Sequence, residues 1–508
     1  MTTIASRGFH LYDDQSDGRS FVEWFGLLAL CNLVLLAIRF AALNWNATDL
    51  FFDEAQYWAW SEEPAFGYYS KPPLIAWLIG LATSVCGQST ACIRSPSPVV
   101  YALASFGVFI AAYQLYGART AFLSALVFLT LPGVTLSSGI ISTDVPLLAA
   151  WAFALAAFIA LVKGAGWWAA IALGVAIGVG LNGKYAMAYF VLCAVIYGIA
   201  NPGGRWILVS PRFWLAIAIA AAMIVPNILW NLDNGFATFS HTADNANWQG
   251  DLGNPEKALE FFGAQFGVFG PVLFAGLLII CWRAWKAGLS EPDALLLAFA
   301  IPVILIVTTQ AFISRAHANW AAVSYVAATV LVTATMVRDL SWRWLSASLA
   351  LHTAVLAGLV GAVAVAGQFA LPGGADPFKR TLGWSELSTE LDAKLETLAP
   401  GGQPVRAILT DRRAMSAELL YYLRDSGIDI LAWRGPRPPK DHFALTRPFA
   451  SAKNRPDPIV LVSQSPTPPE TIAAYFRSVT PIDTIEVTAG LTGTRRAYLY
   501  RLEGFKGF

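Results

Sequence analysis

Charge is what this 508-residue chain has least of. Asp, Glu, Lys and Arg make up 13% of it, about half of the usual ~25%. The shortage is uneven: of these 67 residues, 34 lie before residue 370 and 33 after it. The first 369 residues are therefore very poor in charge, and the rest has the composition of an ordinary soluble domain. Apolar residues reach 56%. A water-soluble globule of this length needs far more polar surface to cover its core. A net charge of +1 offers no basic field for nucleic acid. Cysteine is also scarce. Cys31, Cys86, Cys92, Cys193 and Cys281 all lie in the apolar part, so the tail carries no disulfide framework. Cys86 and Cys92 are close enough to pair, but buried free thiols are the expected state. What is left is a polytopic α-helical membrane protein with a soluble C-terminal domain.

A span needs ~20 mostly apolar residues. Eleven segments qualify: 24–46, 95–116, 120–139, 145–162, 166–182, 185–200, 213–230, 268–283, 291–309, 320–337 and 345–369. The first is too long for a signal-peptide core and is expected to stay as an anchor. Lysine and arginine in short loops set the orientation. With the N-terminus in the cytoplasm, ten basic residues fall on the cytoplasmic side, from Arg7 and Arg19 to Arg338 and Arg343. Six fall outside or within spans: Arg39, Lys71, Arg94, Lys184, Lys257 and Arg315. The outer side also holds eleven carboxylates, from Asp49 to Glu260. The predicted organisation is a membrane domain over 1–369, with its first outer loop at 47–94, and a periplasmic α/β domain over 370–508. Residues 71–87 are apolar too. If they crossed, every later basic loop would face outward, so they are expected to lie along the outer surface.

Two patterns are decoys. Residues 178–184 match both a dinucleotide-binding and a P-loop spacing, but those motifs need a strand and a helix in water. Here they close an apolar span, and the glycines read as close helix packing. Asn46-Ala47-Thr48 is a glycosylation sequon, but it abuts an acidic loop that a glycan would crowd.

That loop carries Asp53 and Glu54 among Phe51, Phe52, Tyr57, Trp58 and Trp60, and runs through Tyr68, Tyr69 and Ser70 to Lys71-Pro72-Pro73-Leu74. Aromatics gather at headgroup level in any membrane protein. Carboxylates do not, because they repel anionic lipids and are costly to bury. A second acid, Asp144, sits in Thr143-Asp144-Val145-Pro146, where it is expected to cap the fourth span and to face the same outer pocket as Asp53. Lys71, Lys184 and Arg315 lie near outer span ends. Each alone reads as a snorkelling cation, and Arg39 inside the first span reads the same way. Together, beside two acids, they point to a site for an anionic headgroup.

These residues resemble those of GT-C-fold glycosyltransferases that use polyprenyl-phosphate sugars. The chain is most similar to the bacterial aminoarabinose-transferase-like enzymes (family GT83) of lipid A and lipopolysaccharide core, and is also similar to protein O-mannosyltransferases. The resemblance rests on Asp53-Glu54, Lys71-Pro72-Pro73-Leu74, Thr143-Asp144-Val145-Pro146-Leu147, Gly183-Lys184-Tyr185 and Asn319-Trp320. The tail adds Asp376-Pro377-Phe378, Gly383-Trp384, Thr410-Asp411-Arg412 and Asp441-His442-Phe443. It implies that Asp53 is the base or acceptor-orienting group and that Lys71 contacts the donor phosphate. Ser70-Lys71 stands where the protein mannosyltransferases place a His, and their large luminal insert is missing, so the resemblance favours a lipid A or core acceptor over a protein.

The chemistry asks for the same residue types. A phosphate leaving group departs as an anion and needs cations and donors where charge develops. Lys71, Lys184 and Arg315 are the candidates. The acceptor hydroxyl needs a carboxylate to take its proton, and the candidates are Asp53, Glu54 and Asp144. Tyr57, Tyr68, Tyr69, His317, Asn319 and Trp320 are expected to line the substrate site. Direct displacement inverts the anomeric carbon. No metal or other cofactor is needed, although Asp53 with Asp144 could hold a divalent ion. The expected partners are a polyprenyl-phosphate-linked sugar, a lipid A, lipopolysaccharide or other glycan acceptor and the bilayer of the bacterial inner membrane, with no nucleic acid. In the tail, strands are predicted at 404–410, 458–463 and 497–503, and helices at 415–425 and 469–478. Asp411-Arg412-Arg413 could touch an anionic acceptor, but the favoured reading is a solvated loop. Three other readings remain: transfer to protein, a transporter, and a non-catalytic scaffold, which would not need carboxylates paired with cations. The transporter fits less well, because its sites lie at mid-membrane, whereas these charges cluster on one outer face.

Overall fold

The computed structural model describes residues 19–248, 252–398, 405, 407–449 and 459–508. The chain forms two compact units. The first comprises 1–43, 71–75 and 94–360; the second comprises 44–70, 76–93 and 361–508.

The first unit is all helix. Every apolar segment predicted as a span is helical, in keeping with the GT-C-type expectation. Among the described residues, six helices are long and apolar enough to cross a membrane: Phe21–Trp45, Thr90–Tyr116, Asp144–Val162, Pro211–Asp233, Glu291–Ile313 and Trp342–Ala364. A seventh span results if Pro255–Val268 and Pro271–Ala287, bent by 116°, count as one. Four predicted spans are shorter helices: Ala118–Thr130, Trp167–Gly183, Tyr185–Ala200 and Ser324–Arg338. The bend falls at the start of the expected 268–283 span, and Gly270 explains it. Its φ of +93 admits glycine alone without strain, and a β-carbon there would stand 2.5 Å from His352 Nε2.

The helix Asp144–Val162 is the most enclosed of the long spans, with 89% of its apolar window buried against 11% for Trp342–Ala364. Small residues let its neighbours come close. A β-carbon at Gly107 would sit 3.0 Å from Ala152, and one at Gly178 only 2.6 Å from Met223 Sδ. The glycines of the decoy motif are thus packing residues. Buried polar pairs join the helices: Asn32 donates to Ser105 Oγ at 3.0 Å, and Tyr325 donates to Gln265 Oε1 at 2.5 Å.

The second unit is built on a five-stranded mixed sheet. Its strands are β1 (Ala407–Thr410), β2 (Asp429–Ala432), β3 (Ile459–Ser463), β4 (Phe476–Ala489) and β5 (Gly493–Phe505), in the order β2-β1-β3-β5-β4. β1 runs parallel to β2 and β3, and β5 runs antiparallel to β3 and β4. Side chains of β3 alternate between two apolar layers, Val460 and Val462 in one and Ile459 and Leu461 in the other. A strand buried on both faces reads as an unbroken apolar run, which is why 458–463 was recognisable. The expected 469–478 helix is wrong beyond its first turn. Only Glu470–Ala473 is helical, and β4 follows. The β-branched residues of Ser478-Val479-Thr480 and Thr484-Ile485-Glu486-Val487 favour the extended chain, and β4 pairs with β5 across a short turn at Gly490. The strand β2 and the Trp384–Thr397 helix were not foreseen.

Residues 44–70 and 76–93 belong to this unit, and much of this segment is helical. Phe52–Glu62 and Leu74–Cys86 are helices, the latter continuing from the other unit. Asp49 ties the loop to the tail: Oδ2 accepts from the backbone N–H of Trp384 at 2.8 Å, and Oδ1 accepts from the Tyr422 hydroxyl at 3.1 Å. It thus satisfies an unpaired donor at the start of the Trp384–Thr397 helix, a role usually filled by the residue just before a helix. Burial pushes its carboxyl above the usual carboxylate range. The expectation of free thiols at Cys86 and Cys92 is overturned, because the two form a disulfide with Cα atoms 5.8 Å apart. Gly87, with φ +82, ends one helix and turns the chain into the next, Thr90–Arg94, bringing the two residues together.

Candidate functional site

Three predicted residues meet at one end of the first unit. Asp144 opens the helix Asp144–Val162, Lys184 directly follows Trp167–Gly183, and Asn319 lies in a short 3-10 turn at Ala318–Ala321. Lys184 Nζ lies 2.6 Å from Asp144 Oδ1, and Asn319 Nδ2 lies 2.5 Å from Asp144 Oδ2. The expected capping by Thr143 or Asp144 is not found. Thr143 makes no side-chain cap bond, and the Asp144 carboxylate is turned to Lys184 and Asn319 instead. The positive end of the helix still favours an anion there. Lys184 keeps 19% of its side-chain surface open. Behind it, the Tyr185 hydroxyl donates to Asn227 Oδ1 at 2.6 Å, and its ring stacks on Phe239. The backbone that carries Lys184 is therefore fixed on both sides. Chemically this is a cation and an amide held in place by one carboxylate, with both carboxylate oxygens occupied. It suits anion binding better than proton abstraction.

Asp53 and Glu54 lie in the first turn of Phe52–Glu62, in the second unit. Glu54 is 2% exposed, and its Oε2 accepts from the Phe51 backbone N–H at 2.9 Å. Its carboxylate caps its own helix, as a Glu in the third helical position does. Asp53 instead faces a residue of the tail. Its Oδ1 accepts from Arg413 Nη1 at 2.9 Å, and the same nitrogen reaches Gln56 Oε1 at 3.2 Å. The Arg413 guanidinium sits 4.8 Å above the Phe52 ring, a cation–π arrangement. Arg413, which the sequence places in a solvated loop that could touch an anionic acceptor, thus meets Asp53. Its only signal was a basic pair just after a strand.

The tyrosines of the loop make packing and backbone contacts. Tyr57 packs against Trp60, and Tyr68 stacks on Trp60 with centroids 4.7 Å apart. The Tyr68 hydroxyl donates to the Trp60 carbonyl, and burial pushes it up to about 12. Tyr69 donates to the Pro439 carbonyl at 3.0 Å. His442 sits edge-on to both Trp60 and Tyr68, and burial lowers its imidazole to about 3. Lys71 is half-buried ahead of Leu74–Cys86. Arg315 and His317 are exposed, and the His317 ring lies edge-on to Trp320. Arg39 does not snorkel. It is buried at 4% exposure and donates to the Leu129 carbonyl at 2.5 Å, where the helix Ala118–Thr130 ends and leaves carbonyls unpaired. Among the described residues, no three His, Cys, Asp or Glu side chains gather as metal ligands.

A family model described as dolichyl-phosphate-mannose-protein mannosyltransferase matches residues 70–230. The chain is 37% identical over 410 residues to the lipid A galacturonosyltransferase RgtD of Rhizobium johnstonii, a match that spans 80% of this chain and 84% of that protein. Its fold is similar to that of ArnT from Cupriavidus metallidurans. For the apo structure the TM-score is 0.65 at 15% identity, over 94% of this chain and 98% of that one. For the structure bound to undecaprenyl phosphate the TM-score is 0.62 at 15% identity, over 95% and 98%. With a relative 37% identical along most of both chains, the chain belongs to the GT-C polyprenyl-phosphate-sugar glycosyltransferases, in the family of the lipid A galacturonosyltransferase RgtD.

Proposed function

We propose that the chain moves galacturonic acid from a polyprenyl-phosphate donor to lipid A or the lipopolysaccharide core, at the periplasmic face of the inner membrane and with inversion at the anomeric carbon. The observation that carries this reading is the 37% identity, along most of both chains, to a lipid A galacturonosyltransferase. The residue chemistry supports it. Lys184 and Asn319, positioned by Asp144, bind the donor phosphate, with Lys71 as a further cation. Asp53 takes the proton of the acceptor hydroxyl. The acceptor oxygen then bonds to the anomeric carbon, while the bond from that carbon to the phosphate oxygen breaks. Its electron pair leaves with the phosphate, which departs as polyprenyl phosphate. Positive charge near that oxygen stabilises the transition state more than the ground state.

The test is a reconstituted enzyme given lipid A and polyprenyl-phosphate galacturonic acid. The expected product is lipid A heavier by one uronic acid residue in mass spectrometry. No transfer from this donor, with transfer from an aminoarabinose donor, would overturn the choice of sugar. Modification of a protein acceptor in place of lipid A or core would overturn the choice of acceptor.

The same reading puts the N-terminus in the cytoplasm, eleven crossings in the membrane and the tail in the periplasm. The disulfide between Cys86 and Cys92 supports this orientation for the first outer loop, because such bonds persist in the periplasm and are rare in the cytosol. A variant lacking Cys31, Cys193 and Cys281 keeps the disulfide and has no free thiol. Asp425→Cys in that variant should react with an impermeant maleimide on intact spheroplasts, and Ala287→Cys should react only after lysis. The reverse pattern would place the tail in the cytoplasm.

A further inference from the structure

The soluble tail has no assigned part in the chemistry, yet one of its residues reaches the carboxylate on which the proposed function depends. We propose that Arg413 is the positioning residue for Asp53, and that the C-terminal domain thereby completes the acceptor site. This inference rests on Asp53 being the base.

The geometry is that of a carboxylate held by one oxygen. Arg413 Nη1 reaches Asp53 Oδ1 at 2.9 Å, and Oδ2 accepts no hydrogen bond from the described residues. Arginine and a carboxylate commonly meet through two parallel bonds; here one prong is shared with Gln56 instead. Asp53 keeps 37% of its side-chain surface open, so an acceptor hydroxyl can reach the second oxygen. Stability does not explain the contact, because an ion pair this exposed contributes only about 0–1 kcal/mol.

The arginine is itself fixed from four directions. Phe52 lies under its guanidinium and Gln56, 1% exposed, takes its second bond. Its backbone opens the helix Arg413–Tyr422, directly after β1. Asp411, two residues earlier, accepts from Ser463 Oγ at 2.7 Å and so pins the end of β1 to the end of β3. Asp441 is the other carboxylate whose charge Arg413 meets, and its own Oδ1 is engaged with the Ala444 backbone N–H. A sheet, a helix start and an aromatic face thus all bear on the rotamer of one aspartate. A displacement of about 1 Å at a reacting group can cost ~10²-fold in rate.

The experiment uses the full-length enzyme in lipid nanodiscs with its lipid-linked donor. Arg413→Ala should lower kcat by ~10- to 10²-fold while KM for the acceptor changes less than about twofold. Arg413→Lys, which keeps a single charged donor without the planar fork, should recover part of the loss. In an Asp53→Asn background, Arg413→Ala should cost almost nothing further, because a residue acting through Asp53 has nothing left to act on. Arg413→Gln carries the same comparison if the alanine variant fails to fold. Wild-type kcat in Arg413→Ala, a change in KM alone, or full additivity with Asp53→Asn would each overturn the positioning role. Those results with an inactive Asp53→Asn would leave the base in place. Near wild-type activity in Asp53→Asn would overturn the base itself.

Discussion

Asp53→Asn is expected to lower kcat by ~10²–10⁴-fold, the usual contribution of a positioned general base, without unfolding the enzyme. The substitution keeps the shape of the side chain. It also keeps an oxygen that can accept from Arg413 Nη1, now 2.9 Å from Oδ1. What it removes is the capacity to take a proton. KM for the lipid-linked donor should stay close to wild type, because the donor phosphate is assigned to other residues. Steady-state kinetics with each substrate varied in turn makes the measurement, and thermal unfolding provides the control for the fold. Glu54→Gln is the internal comparison. Glu54 is buried and accepts from the Phe51 backbone N–H, and an amide oxygen can do the same. Its effect on kcat should be several-fold at most. Activity of Asp53→Asn within a few-fold of wild type would remove Asp53 from the chemistry and leave the Arg413 contact as a surface ion pair.

Lys184→Gln is expected to lower kcat by ~10²–10³-fold, the cost of losing one donor aimed at developing charge. Gln can still donate to Asp144, so the carboxylate is not left without a partner. This matters because breaking a largely buried pair outright costs about 3–5 kcal/mol, and here the two side chains are only 19% and 11% exposed. An alanine variant would confuse folding with catalysis. Lys184→Arg should recover part of the rate, since it restores the charge as a planar fork rather than a point. Asn319→Ala should cost less than Lys184→Gln, because it removes a neutral donor and keeps the cation. The donor phosphate gains charge as its bond to the sugar breaks, so the loss should appear in kcat more than in KM. A change confined to the donor KM would make Lys184 a ground-state lipid anchor.

Both centres were visible as residue types, but only in part as arrangements. Asp53, Asp144 and Lys184 stood out because charge is costly within or beside an apolar span. Their scarcity made them legible. Tyr57 and Tyr68 stood out as aromatics of the loop, and both pack on Trp60, Tyr68 lying flat on it. Arg413 stood out only as a possible contact for an anionic acceptor and not as a partner of Asp53, because a basic pair in a soluble domain is ordinary surface. Cys86 and Cys92 were misjudged because the turn that joins them depends on the conformation of Gly87.

The sequence by itself determined the apolar helices, their order, the presence of a C-terminal α/β domain and the type of chemistry. Each of these follows from composition or period over many residues, where burial energy accumulates and no single contact decides. Tertiary structure alone decided which oxygen meets which donor. It placed Lys184 and Asn319, 135 positions apart, on the two oxygens of Asp144. It brought Arg413 to Asp53, a separation of 360 residues. It also bent the chain at Gly270, where His352 leaves no room for a β-carbon. Such pairings depend on how helices and strands pack in three dimensions, and no local pattern encodes the partner.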